Sequence, residues 1–219
     1  MAAVVVENSG VPRRDALALA HLAEIADRVR PLVAATERLL PVPGLLGDAL
    51  PNGGLRRGSV VTVDGVAGMG ATSIVLTLAA AVTAAGEWAA IVDVAGTLGG
   101  RAAAEAGVAL ERLAVVRAVP ANKWSTVVAA LLDGFAFVAT DVPVRCRIGD
   151  ARRLAARARE RAATLVALGP WPAEAAVRLH ATTSQWHGLG DGSGLLARRD
   201  LDVRVEHRGV PVHTQLRAG

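Results

Sequence analysis

The sequence predicts an α/β fold: a mainly parallel sheet flanked by helices, with a helical N-terminal element and an antiparallel C-terminal β extension. Three observations carry this. Short β-branched runs alternate with alanine- and leucine-rich helical runs from residue 60 to residue 168. A glycine-rich turn joins the first of those strands to its helix. After Pro170 the helical runs stop, and β segments separated by glycine turns take over. Strands joined by helix-length crossovers run parallel and are covered on both faces, whereas strands joined by tight turns run antiparallel.

The elements follow in order. Residues 13–40 show helical periodicity, with Leu22, Ile25, Ala26, Val29 and Val33 on one face and Pro31 breaking the run. Prolines and glycines at 41–44 and 51–54 bracket residues 45–50 as a turn-rich linker, which divides the chain into an N-terminal helical element at 1–43 and a core at 44–219. Within the core, strands are expected in the first half of 60–73 and at 88–93, 113–116, 134–140 and 164–168. Helices are expected at 74–85, 101–106, 123–132 and 150–163. The C-terminal extension reads as β segments at 177–181, 185–187, 201–208 and 210–216, with turns at 188–194 and at Gly209.

The first strand, its turn and its helix carry the chemistry. From Val60 the chain reads Val-Val-Thr-Val-Asp-Gly-Val-Ala-Gly-Met-Gly-Ala-Thr-Ser, so Gly65, Gly70, Thr72 and Ser73 stand in a Gly-x-x-x-x-Gly-x-Thr-Ser frame. This is the layout of a phosphate-binding P-loop, where backbone N–H groups and a helix N-terminus cradle phosphates while a lysine and a hydroxyl complete the site. Here the lysine position is Ala71. The lysine's duty is electrostatic, neutralising phosphate charge during transfer, and a methyl group cannot perform it.

Composition narrows the class. The chain has 219 residues, 52% of them hydrophobic and 3% aromatic, enough for one well-buried domain plus a terminal element. The net charge is +4, and Lys123 is the sole lysine, so the basic charge is almost all arginine. Cys146 is alone, which excludes an intramolecular disulfide and a cysteine-based metal site. Glu7, Arg13 and Arg14 stand where a signal peptide would need a basic leader and an apolar core. The most apolar window, 74–92, is cut by Gly86 and Glu87. A cytoplasmic protein is expected.

Taken together, the elements resemble the RecA-like ATPase core over residues 45–216. The likeness rests on Gly53-Gly54-Leu55 with Gly58 before the first strand, on Gly65 to Ser73, and on Ile91-Val92-Asp93-Val94-Ala95 after it. Ala95 occupies the place where the resemblance implies a catalytic glutamate. The fourth strand should end on a metal-holding aspartate, but 135–139 ends without one. Asp141, arriving later, is expected to face another side and to cap the loop before Pro143. The loops at 141–149 and 169–176 are shorter than the DNA-contacting loops of recombinases. Among RecA-like proteins, the chain resembles the actinobacterial ImuA type. The residues carrying this are 50–60, the lysine-free 70–73, the helix 150–160, Gly169-Pro170-Trp171-Pro172 and 186–192.

That resemblance implies a non-catalytic accessory or scaffold protein of the DNA-damage-induced mutasome. Its partner would be the inactive Y-family polymerase homologue (ImuB type), in an assembly with an error-prone C-family DNA polymerase. On this reading Gly65, Gly70, Ala71, Thr72 and Ser73 form a vestigial loop, and no cofactor, metal or catalytic residue is expected. ATP and Mg²⁺ belong to an alternative, an ATP-dependent switch whose cation arrives in trans or from Lys123 or Arg101. A further alternative is a DNA-binding modulator of a recombinase. For a nucleic-acid or partner surface the sequence offers Arg145, Arg147, Arg152, Arg153, Arg157 and Trp171, the arginines as phosphate contacts and the indole as an anchor or stacking platform. The bland alternatives are a solvated helix face and a packed loop residue. The five histidines show no metal spacing.

Overall fold

In a computed structural model of the chain, the described residues are 4–7, 39–66, 68–190 and 193–218. The expected N-terminal helix lies outside them, except at its end. There Leu39–Pro41 is a strand, β2, because it pairs antiparallel with β3 (Gly54–Arg56). The segment between them, expected as a linker, holds a short helix, α1 (Gly44–Ala49). A strand near the start of the chain, β1 (Val4–Glu7), joins the main sheet.

Strands and helices then alternate as the patterning requires: β4 (Val60–Gly65), α2 (Ala71–Ala84), β5 (Ala89–Asp93), α3 (Gly100–Glu105), β6 (Leu113–Arg117), α4 (Trp124–Gly134), β7 (Phe137–Asp141), α5 (Ile148–Arg161) and β8 (Thr164–Leu168). β9 (Val177–Gly190), β10 (Ser193–His207) and β11 (Val210–Ala218) complete the chain. Among the described residues the main sheet has the order β1-β6-β5-β7-β8-β4-β9-β10-β11. It is parallel from β1 to β9 and antiparallel through β10 and β11. The fold is therefore α/β with a mainly parallel, mixed sheet flanked by helices and an antiparallel C-terminal ribbon.

Two apolar layers hold it together. On one face, α2 buries Ile74, Leu78, Ala79 and Val82 against alternate residues of the strands, among them Phe137, Ala139, Val61, Val63 and Leu179. α2 is apolar around most of its circumference, as a helix covered on several sides must be. On the other face, α4 and α5 pack Val128, Leu131, Leu132, Ala151, Leu154 and Ala158 onto Val138, Leu165 and Ala167. Each fully buried leucine contributes about 1.5–3 kcal/mol from removing its side chain from water. The period of two along β7 sends Phe137 and Ala139 to the α2 face and Val138 to the opposite one.

The C-terminal ribbon departs from expectation: strand covers residues 188–190 and 193–194 of the expected turn, and β10 begins at Ser193 where a segment from 201 was expected. Residues 177–181 and 185–187 belong to a single strand, β9, because pairing with β10 carries it through the intervening polar residues with a register shift at Asp202/Val203. β10 and β11 meet at a two-residue turn, Arg208 and Gly209, both with positive φ (51° and 77°), the geometry that matches strand twist in a tight hairpin. The ribbon's outer strand folds back on α1, where the Thr214 hydroxyl donates to the Leu45 carbonyl at 2.9 Å. Among the described residues no helix is long and apolar enough to cross a membrane.

Candidate functional site

The glycine loop leaves the carboxyl end of β4 and turns into α2, the place where open α/β sheets form crevices. Its path is set by the neighbouring ribbon. Gly65 has φ of +149°, and a Cβ there would lie 2.9 Å from the Ala181 carbonyl oxygen of β9. Gly70 caps the start of α2 in the left-handed region (φ +104°), and a Cβ would meet Leu201 Cδ2 at 2.6 Å. Glycine is needed at both positions for conformation and for close approach.

A cavity of about 360 Å³ opens on this loop. It is lined by Asp64 to Val66, Gly68, Gly70, Ala71, Thr72 and Ser73, together with Asp141, Leu168, Gly169 and Arg199. The predicted loop residues Gly65, Gly70, Ala71, Thr72 and Ser73 thus meet at one site. Two further side chains define it.

Asp141 corrects the reading made from the sequence. β7 continues through Thr140 to Asp141, which pairs in register with Leu168 of β8. Counting by twos from Phe137 and Ala139 puts Asp141 on the α2 face, so a carboxylate does stand at the end of the fourth core strand, in the loop cavity. Partial burial pushes its carboxyl above the usual carboxylate range, and the charge of Asp93 adds to this. The backbone N–H groups of Val94 and Ala95 pull the other way. Its neighbour Thr140, fully buried, accepts a hydrogen bond from Trp124 Nε1 at 2.8 Å.

Arg199 is the residue that sequence reasoning missed. It comes from β10, directly opposite Trp186 of β9 in the register. Its guanidinium carbon lies 5.0 Å from the centroid of the Trp186 ring, Nε donates to Ser184 Oγ at 2.6 Å, and Nη2 donates to the Gly68 carbonyl of the loop. Among the described residues lining the cavity it is the one cation. Lys123 stands instead at the start of α4. Arg101 is exposed and pairs with Glu105 at 2.7 Å. Neither lines the cavity. An aromatic and an arginine in a polar C-terminal stretch were the available signals, but only strand register brings them over the loop.

Asp93, at the end of β5, is spent on structure. Its side chain, 4% exposed, accepts the backbone N–H of Thr97 and of Leu98, each at 3.0 Å, and pairs with Arg117 Nε at 3.1 Å. Arg117 in turn donates to the Leu98 carbonyl, closing a bracket around the turn after β5. Ala95, at the expected glutamate position, lies exposed on that turn. At the other side of the loop, Asp64 pairs with His180 of β9. Among the described residues no group of three or more His, Cys, Asp or Glu side chains converges to hold a metal ion.

The basic run divides by partner. Arg153 pairs with Asp150 at 2.6 Å, and Arg157 grips Asp133 of α4 through Nε at 2.6 Å and Nη2 at 2.5 Å, with Arg161 on the same carboxylate at 3.1 Å. Arg145 and Arg147 are exposed in the turn before α5. Arg152 lines a different cavity, together with Arg159 and Arg178. Trp171 is buried in the α4/α5 layer, with Nε1 donating to the Glu174 carbonyl at 3.4 Å, so its ring is a packed loop residue and is not available to stack a base. The exposed indole is that of Trp186.

A sequence profile described as the MT3502 N-terminal domain matches residues 48–173, more than half of the chain, and the chain belongs to that family. The matched span runs from α1 to the turn after β8 and so includes the glycine loop, Asp93, Asp141 and α5, whereas Arg178, Trp186 and Arg199 lie beyond it. No curated protein matches the chain.

Proposed function

We propose that this member of the MT3502 N-terminal domain family is a non-catalytic RecA-like accessory protein of the DNA-damage-induced mutasome. It would act as a scaffold that binds the inactive Y-family polymerase homologue (ImuB type) alongside an error-prone C-family polymerase. The RecA-like part is supported by the strand order. The loop-bearing strand β4 lies between β8 and β9, β7 and β8 separate it from β5, and the antiparallel ribbon continues the sheet on its far side.

The observation that carries the non-catalytic part is the fastening of the loop. Ala71 brings no charge to the cavity, and the cation that does reach it, Arg199, directs two of its five N–H donors to the Gly68 carbonyl and Ser184 and lays its face on Trp186, so it is held to the loop backbone and the ribbon. A guanidinium committed in this way holds the loop to the ribbon. A phosphate-binding lysine, by contrast, must keep its donors free for the β- and γ-oxygens. With alanine at 95 as well, there is no carboxylate on the turn after β5 to orient an attacking water. The surface for a partner is the edge where α1 and β11 meet, which exposes Leu45, Val210 and Val212.

A second reading, a nucleotide-dependent switch, is favoured by one observation: Asp141, Thr72 and Ser73 line the same cavity and could serve as oxygen ligands for a phosphate-bound Mg²⁺. Calorimetric titration with ATP and Mg²⁺, run beside a pull-down of the polymerase homologue, separates the two. Capture of the partner with no saturable heat from ATP is the expected result. Tight ATP binding that alters capture would select the switch, and turnover of ATP would overturn the non-catalytic reading.

A further inference from the structure

The outer face of α5 carries Ile148, Arg152, Ala155, Ala156 and Arg159, spaced as a single helical stripe. Opposite it stand the turn at residues 172–174 and Arg178 of β9, which projects from the same sheet face that α5 covers. Together they enclose a groove of about 560 Å³. The opposite flank of α5 holds Arg153, Arg157 and Arg161, each paired with a carboxylate of this chain, Arg153 with Asp150 and the other two sharing Asp133. Arg152, Arg159 and Arg178 have no such partner among the described residues, and they converge on the groove against one carboxylate, Glu174. The helix thus sorts its arginines into a self-satisfied set and a set facing outward into a concave site.

We propose that this groove binds an acidic, leucine-bearing helical segment of a protein partner. The groove's chemistry favours that occupant over a nucleic-acid strand. Between the charged groups its lining is aliphatic, from Ile148, Ala155, Ala156, Pro172 and Ala173, a surface suited to leucine side chains. It has no aromatic ring on which a base could stack, because Trp171 beside it is buried and its indole N–H is used within the turn. Arg152 and Arg159 are seven residues apart, about 10.5 Å along the helix axis, the separation of carboxylates two turns apart on a docked helix. Each guanidinium offers the planar fork that matches a carboxylate. The inference rests on the groove alone and does not depend on the glycine loop or on the identity of the polymerase partner.

The test measures fluorescence anisotropy of a labelled amphipathic peptide of leucine and glutamate, with oligothymidine as the second probe, at low salt. The proteins compared are the wild type, the triple variant Arg152→Gln/Arg159→Gln/Arg178→Gln and the control Arg153→Gln/Arg157→Gln, with thermal melts establishing that each is folded. The peptide is expected to bind the wild type. Affinity should fall at least about tenfold in the triple variant and change by less than about twofold in the control. Absence of peptide binding, or equal loss in both variants, would overturn the proposal. So would oligothymidine binding that exceeds peptide binding and disappears with the same three arginines, and that result would assign the groove to nucleic acid.

Discussion

Replacing Asp93 with asparagine probes the bracket that holds the turn after β5. The wild-type carboxylate, 4% exposed, receives two backbone N–H groups at 3.0 Å and the Arg117 guanidinium at 3.1 Å. Asparagine keeps one acceptor and turns an amide donor toward the other, so one charge-assisted hydrogen bond is lost outright and an N–H is opposed by another donor. Bonds of this type contribute about 1.5–3 kcal/mol each. Arg117 also loses its counter-charge, although its side chain, 26% exposed, regains some solvation and does not incur the full cost of a buried orphan. The net loss is about 3 kcal/mol, equivalent to a fall of roughly 6–12 °C in Tm for a chain of this size. Urea denaturation followed by circular dichroism would measure it in Asp93→Asn, Arg117→Met and the double variant. The double-mutant cycle should show coupling, because both residues also brace the Leu98 backbone. A loss below about 1 kcal/mol, or strictly additive effects, would refute the bracket. A second readout is independent of stability. Since the charge of Asp93 helps to raise the Asp141 carboxyl, NMR titration should find that carboxyl lower in Asp93→Asn.

Three further outcomes are expected. Gly70→Ala should destabilise by about 2–4 kcal/mol, from left-handed strain plus displacement of buried Leu201, read as a shift in the urea midpoint. Thr140→Val should cost about 1–3 kcal/mol, by leaving the buried Trp124 indole N–H without an acceptor, with a change in tryptophan fluorescence as the local marker. Asp141→Asn should make the protein more stable at neutral pH. A carboxyl raised in the folded state binds its proton more tightly there than in the unfolded chain, so its cost to folding is present above its raised pKa. That cost fades as pH falls toward the ordinary carboxylate value, and the variant and wild-type stabilities should converge there.

Asp141 and Arg199 show what the sequence leaves illegible. That the fourth strand exists was plain from its apolar run, but whether it ends at Thr140 or Asp141 depends on pairing with β8. One residue of extension, combined with the period of two, decides that a carboxylate faces the loop. Arg199 is more than a hundred residues from the loop it fastens, and nothing local distinguishes it from Arg198. The basic run of α5 was visible as composition and as helical spacing. Its division into paired and outward-facing arginines was not, since Asp133 comes from α4, and Arg178 and the turn at 172–174 are brought in by the sheet. For Trp171, between two prolines, the sequence left both an anchor and a packed loop residue open, and the α4/α5 layer packs it.

By itself, the sequence determined what local physics can dictate: the alternation of strands and helices, the parallel core with its antiparallel continuation, the glycine loop and the absence of lysine from it. Backbone propensity, periodicity and glycine conformation act over a few residues, and so they are written in the order of the chain. Only the tertiary structure decided strand order, which carboxylate meets the loop, which arginine fastens it and which arginines of α5 pair within the described residues. Those outcomes depend on register and on contacts between residues distant in sequence, where a shift of one position reverses the face a side chain presents.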